Sequence, residues 1–120
     1  MSINAVGSAG LAQSLSISAS GIRDATLRLD VAANNVANVN TRGFVPSKVS
    51  SSAVPTGGVQ STVAPFVPNP AAPPPEEGDS QTDLATEFVN VIAARAAFKA
   101  NAKMMSVTAE TSETLINMIS

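Results

Sequence analysis

The chain contains no cysteine, histidine, tryptophan or tyrosine, and only four phenylalanines in 120 residues. Without cysteine there can be no disulfide, thiolate nucleophile or sulfur-ligated metal. Without histidine the commonest general base and metal ligand is missing, so nucleophilic triads and dyads that use His or Cys are excluded. The lack of Trp and Tyr removes most of the side chains on which nucleic-acid bases stack. Charge is sparse as well: seven Lys and Arg against nine Asp and Glu leave a net charge of −2. The chain is therefore not expected to be an enzyme, and no catalytic, cofactor-binding or metal-ligating residue is assigned. Arg95, Lys99 and Lys103 fall at i, i+4 and i+8 and form one basic helix ridge. That ridge reads as a solvated face or as ion-pair partners for a neighbour, and nucleic acid is not expected as a partner. Residues 1–22 carry no charge, but Ser, Gly, Asn and Gln interrupt them too often for a membrane span. No basic region precedes an apolar core as a secretory signal requires, so direct membrane insertion and a cleaved signal peptide are both unexpected.

Two long helical stripes, one toward each end of the chain, are what the sequence does offer. Leu11, Leu15, Ser18, Ile22, Ala25, Leu29, Ala32, Val36 and Val39 follow one another at alternating spacings of three and four. Leu84, Phe88, Val91, Arg95, Phe98, Ala102, Met105, Ala109, Ser112, Ile116 and Ile119 repeat the pattern. Such alternation is the seam of a coiled coil, which needs a partner surface along its whole length. Ala and Ser in the seam permit close approach but bury little apolar area, so the pattern asks for neighbours in an assembly. Arg95 is the charged exception, either reaching out to solvent or pairing with an acid on another chain.

The predicted fold class is mainly α: two long coiled-coil-forming helices packed antiparallel, joined by a Pro-rich extended segment that permits a short β-hairpin. Residues 1–10, with Gly7 and Gly10, are expected to be loose. The N-terminal helix is placed at residues 11–41, with Gly21 as its weak point because Gly costs about 1 kcal/mol relative to Ala. Asn34, Asn35, Asn38 and Asn40 crowd its end, and Asn or Gly can enter the left-handed conformation that stops a helix. Gly43 then allows a sharp turn before Phe44. Residues 42–82 form a Pro/Val-rich connector holding all eight prolines, and between Lys48 and Glu76 it carries no charge. Within it Phe44 to Ser51 and Val59 to Phe66 flank Pro55-Thr56-Gly57-Gly58, which suits a hairpin over residues 44–66. The C-terminal helix is placed at residues 83–120, free of Gly and Pro, with Thr82 or Asp83 as its cap and Glu76, Glu77 and Asp79 at its positive end.

The run from Leu29 through Asn34-Asn35-Val36-Ala37-Asn38-Val39-Asn40-Thr41-Arg42-Gly43-Phe44 resembles the N-terminal motif of the flagellar rod and hook proteins. Ile17 to Ile22 fits the same motif upstream. In the second half Asp83 to Asn90 resembles the acidic-apolar helix start of that family, and Ala94-Arg95-Ala96-Ala97-Phe98-Lys99-Ala100-Asn101 resembles its Arg-small-aromatic-x-x-Asn centre. Because only a Pro-rich connector separates the helices, the chain looks most similar to the short proximal rod proteins, of the FlgC-like type. The resemblance implies a structural subunit of the bacterial flagellar basal-body rod, part of an axial drive shaft and export channel for motility. Its implied partners are other copies of itself, neighbouring rod proteins and, during secretion, the flagellar type III export apparatus. It implies a periplasm-spanning rod location reached from the cytoplasm without a cleaved signal. The candidate assembly residues, taken from the stripes and these motifs together, are Leu15, Ile22, Leu29, Val36, Asn34, Asn35, Asn38, Asn40, Gly43 and Phe44 on the first half. On the second they are Phe88, Val91, Arg95, Phe98, Asn101, Met105 and Ile116. The competing expectation is a non-enzymatic helical adaptor that docks a single partner, with the Pro-rich segment as tether.

Overall fold

The computed structural model describes residues 2–74, 76 and 78–119, with side chains of the first helix from residue 9 onward. Helix α1 (Ser2–Ala37) leads into strands β1 (Ser47–Ala53) and β2 (Val59–Pro65), and helix α2 (Leu84–Ile119) follows. The molecule is a rod of 68 × 24 × 17 Å. The helices run antiparallel: Gly21 lies against Asn101 and Asn35 against Glu87, a step of 14 residues on each. Equal steps of two heptads keep the pair in register without drift, as a shallow coiled coil does. Among the described residues no helix is long and apolar enough to cross a membrane.

On α1 the expected stripe is the one that packs. Ser18, Ala25 and Ala32 are buried, and Leu11, Leu15, Ile22, Leu29, Val36 and Val39 are half-buried between them. The core is accordingly thin, with Ala25, Ala32, Val49 and Ala94 its buried hydrophobic residues. Small residues let the backbones come together at the expense of apolar area, so dispersion between close backbones replaces large side chains. Gly21 shows how close. A Cβ there would lie 2.5 Å from the Asn101 side-chain oxygen. The glycine expected to weaken α1 is the point that admits α2.

Residues 2–10 depart from the expectation of a loose N-terminus, because α1 runs from Ser2; Met1 lies outside the described residues. Extending an existing helix adds one hydrogen bond per residue without a new nucleation cost, and Ala5 and Ala9 partly offset Gly7 and Gly10. The helix end also differs in mechanism. None of the four asparagines there is left-handed; among the described residues only glycines have positive φ. Instead Asn38 donates its amide to the Asn34 carbonyl at 2.9 Å, and i+3 bonds from Val39 and Thr41 tighten the chain. Gly43, at φ +71°, then makes the turn. Asp83 caps α2, accepting from the Ala85 N–H at 3.1 Å and the Thr86 hydroxyl at 2.9 Å. Glu77, expected among the acids before this helix, and Ser120 lie outside the described residues.

The hairpin pairs Ser47 with Pro65 through Ala53 with Val59. Gly57 and Gly58, both at positive φ, close its turn under bonds between Val54 and residues 57 and 58. It does not stand free. It lies along α1, from Asn35 at Ser47 to Gln13 at Thr56. Twenty-two helical residues at ~1.5 Å and nine extended ones at ~3.3 Å span roughly 33 and 30 Å, so strand and helix stay level over the full length.

Candidate assembly interface

Polar pins hold the hairpin to α1. At one end Asn35, 1% exposed, donates to the Ser47 carbonyl (2.8 Å) and accepts from the Ser47 N–H (2.9 Å), so its amide imitates a strand residue. The same amide nitrogen donates to Glu87 Oε1 of α2 at 2.9 Å. One side chain therefore ties both helices and β1 together. In the middle Asp24 accepts from the hydroxyls of Ser51 and Ser61 (2.6 Å for the latter) and from Arg28 Nε at 3.0 Å. Arg28 also donates to Ser51 at 2.6 Å. Burial pushes the Asp24 carboxyl up, but the bonds from Ser51, Ser61 and Arg28 together outweigh it and hold the group below its ordinary 3.8. At the far end Ser20 accepts from the Val59 N–H at 3.1 Å, and Gly57 and Gly58 press on Ile17 and Ser20 too closely for a side chain of their own.

On α2 the face that meets α1 is not quite the stripe drawn from the sequence. Glu87, Ala94 and Thr108 are buried there, with Val91, Asn101, Met105 and Ser112 half-buried. Val91, Met105 and Ser112 belong to the expected seam. Ala102 also stays half-buried as expected, while Phe88, Arg95 and Ala109 yield their places to the residues one position earlier. Two contacts fix this face: Asn101 fills the space over Gly21, where a Cβ would lie 2.5 Å from its side-chain oxygen, and the Asn35 amide holds Glu87 inward at 2.9 Å in place of Phe88. The displaced side chains turn outward. Phe88 is 58% exposed and Ile92 69%, Arg95 is exposed, and Phe98 lies at the border at 39%.

The remaining assembly candidates divide between the two ends. Asn34 and Asn40 are exposed, and Asn38, half-buried, bonds within its own helix end and to Thr41 at 3.0 Å. Gly43 donates to the Gly78 carbonyl and Phe44, half-buried, accepts from the Gln81 N–H, both at 3.0 Å, so the exit from α1 is stitched to the entry of α2. Asn40 borders an open cleft of about 350 Å³ there, with Val39, Arg42 and Gly78 to Ser80. Ile116, at 62% exposure, stands on the free end of α2. Asp24, Ser51, Ser61 and Glu87 were not singled out from the sequence. Asp24 and Arg28 at i, i+4 were a visible signal, but the hydroxyls that complete the cluster come from strands whose docking has no local signature.

Comparison with known proteins adds an independent line. Residues 15–44 match the family described as flagella basal body rod protein. Residues 79–118 match the family described as flagellar basal body rod FlgEFG protein C-terminal. No curated protein matches the chain. The two matched segments contain the Asn35 and Glu87 pin and the facing halves of α1 and α2.

Proposed function

Since the chain belongs to the flagellar basal-body rod protein family, we propose that it is a structural, non-catalytic subunit of that rod which polymerises through its terminal helices. The observation that carries this reading is the outward side of α2. Leu84, Phe88, Val89 and Ile92 form one exposed apolar patch near its start, and Leu115, Ile116, Met118 and Ile119 are exposed at its end. Fully burying a Phe or Ile side chain contributes about 1.5–3 kcal/mol, so leaving these in water is costly unless neighbours cover them. Asn35, Asp24 and the glycines hold the hairpin and helices as one unit, and the uncovered side is what such a unit has left for assembly. The partners on this reading are further copies and neighbouring rod subunits. Export as an unfolded chain through the flagellar type III apparatus, into a proximal part of the rod, completes the proposal. A strain lacking the protein tests it: motility and complete basal bodies should be lost and restored by the wild-type chain. Intact basal bodies in the deletion strain would refute it.

A further inference from the structure

Strand β2 leaves an open edge. Residues 54 and 58, and residues 46 and 66, are hydrogen-bonded pairs across the hairpin, so the even-numbered residues carry the ladder. By alternation the N–H and C=O of the odd-numbered residues point away from it. Asn35 occupies these groups at Ser47 on β1, and Ser20 meets the N–H of Val59 on β2. Further along β2, the outward backbone groups of Ser61 and Val63 meet no partner among the described residues. From Val59 to Ala64 the strand has neither charge nor proline, the devices that keep an edge from pairing, whereas β1 has Lys48. Beside this edge α1 floors a groove of two open clefts in line. One, of about 350 Å³, lies between Arg23, Leu27 and Ser61. The next, of about 320 Å³, lies between Asp30, Phe44 and Val63. Arg23 and Asp30 are both exposed, and the salt bridge formed among the described residues, Arg28 to Asp24, involves neither.

We infer that this groove captures one extended segment of another protein, added antiparallel to β2 as a third strand. Ser61 and Val63 offer it two donors and two acceptors, and its alternate side chains face the two clefts. β2 runs from the Arg23 end of the groove to the Asp30 end, so an antiparallel segment meets Asp30 first. The chemistry of the segment follows: a base, then an acid four residues later, with a small apolar residue between them on the same face. Proline is excluded wherever an N–H must reach β2. Arg23 and Asp30 are seven residues apart, ~10 Å along the helix, and the base and acid span ~13 Å in a strand, a difference long side chains absorb. The hairpin of a second copy does not suit the same place. It brings its own α1, about 10 Å across, where a strand needs ~4.8 Å. The inference stands apart from the rod-subunit reading, because a single chain holds the whole groove.

Random heptapeptides displayed on phage, selected on the full chain, test this. The enriched sequence should place a base four residues before an acid, and the synthetic peptide should protect the Ser61 and Val63 amides from hydrogen exchange. Val63→Pro removes one outward donor and spares the ladder, so it should weaken peptide binding about tenfold or more with the melt unchanged. Arg23→Glu should switch the preference to a base in the place of the acid. If Val63→Pro unfolds the chain, N-methylation of the peptide decides. Methyl groups on the amides that face β2 should abolish binding, and methyl groups on the intervening amides should leave it. No enriched sequence, or binding indifferent to Arg23→Glu and to the place of methylation, overturns the inference. So does self-association of the chain through β2, read in sedimentation as a dimer that Val63→Pro dissociates.

Discussion

Replacing Asn35 by Ala should loosen three elements at once. The substitution removes the donor to Glu87 and both bonds to the Ser47 backbone, in a place where Asn35 is 1% and Glu87 7% exposed. A hydrogen bond to a charged group contributes about 1.5–3 kcal/mol and a neutral one about 1, and buried partners left without one add a desolvation cost. Water reaching the new gap would recover part of this, so the expected loss is roughly 2–4 kcal/mol. Hydrogen exchange at the Ser47 amide reads it directly, because that N–H is held by Asn35. Protection there should fall by on the order of 30- to 1000-fold, with smaller changes at Gln13 and Asn101 far along the rod. Asn35→Asp keeps the acceptor for Ser47 but sets a second carboxylate against Glu87. Adding Glu87→Gln supplies an amide donor in its place and should recover much of the protection. Unchanged protection at Ser47 in Asn35→Ala would refute the pin.

Further consequences are equally specific. Gly21→Ala, which in an exposed helix would stabilise by about 1 kcal/mol, should destabilise by about 1–3 kcal/mol because its Cβ meets Asn101, and Asn101→Ala should relieve it in a thermal melt. The Asp24 pin is fully present above the carboxyl's ordinary 3.8 and is lost as pH falls below it through the lowered folded value. Exchange at Val59 should therefore rise only in that acid range, and the rise should be absent in Asp24→Asn. Gly43→Val, at φ +71°, should cost about 1–3 kcal/mol and free the Gly43 to Gly78 stitch, seen as faster exchange at Gln81. Phe88→Ala should leave the melt of the isolated chain within about 0.5 kcal/mol while abolishing motility; a large loss in the isolated chain would place Phe88 in the core instead.

The fold was largely legible because its signals are periodic or steric. The α1 stripe from Leu11 to Val39 reads directly as the packed face, and Pro55 to Gly58 reads as a turn because only glycine tolerates the positive φ found at Gly57 and Gly58. The α2 face was harder. Its apolar residues and its packed residues differ by one position at alternate turns, since Gly21 of α1 admits Asn101 and the Asn35 amide draws in Glu87 in place of Phe88. Hydrophobicity marks what must be covered, and not which partner covers it. The pins were least legible. Asn35 stood out as one of four asparagines at a helix end, but its bond to Ser47 crosses 12 residues and its bond to Glu87 crosses 52, distances at which spacing carries no signal.

Electron cryomicroscopy of basal bodies isolated from the bacterium that makes this chain tests the central claim most directly. The account predicts density for α1, α2 and the docked hairpin within the rod, repeated along it, with Phe88 and Ile92 of each copy covered by a neighbouring subunit. A rod fully accounted for by other proteins, with this chain found only as a one-to-one complex with a soluble partner, would contradict it.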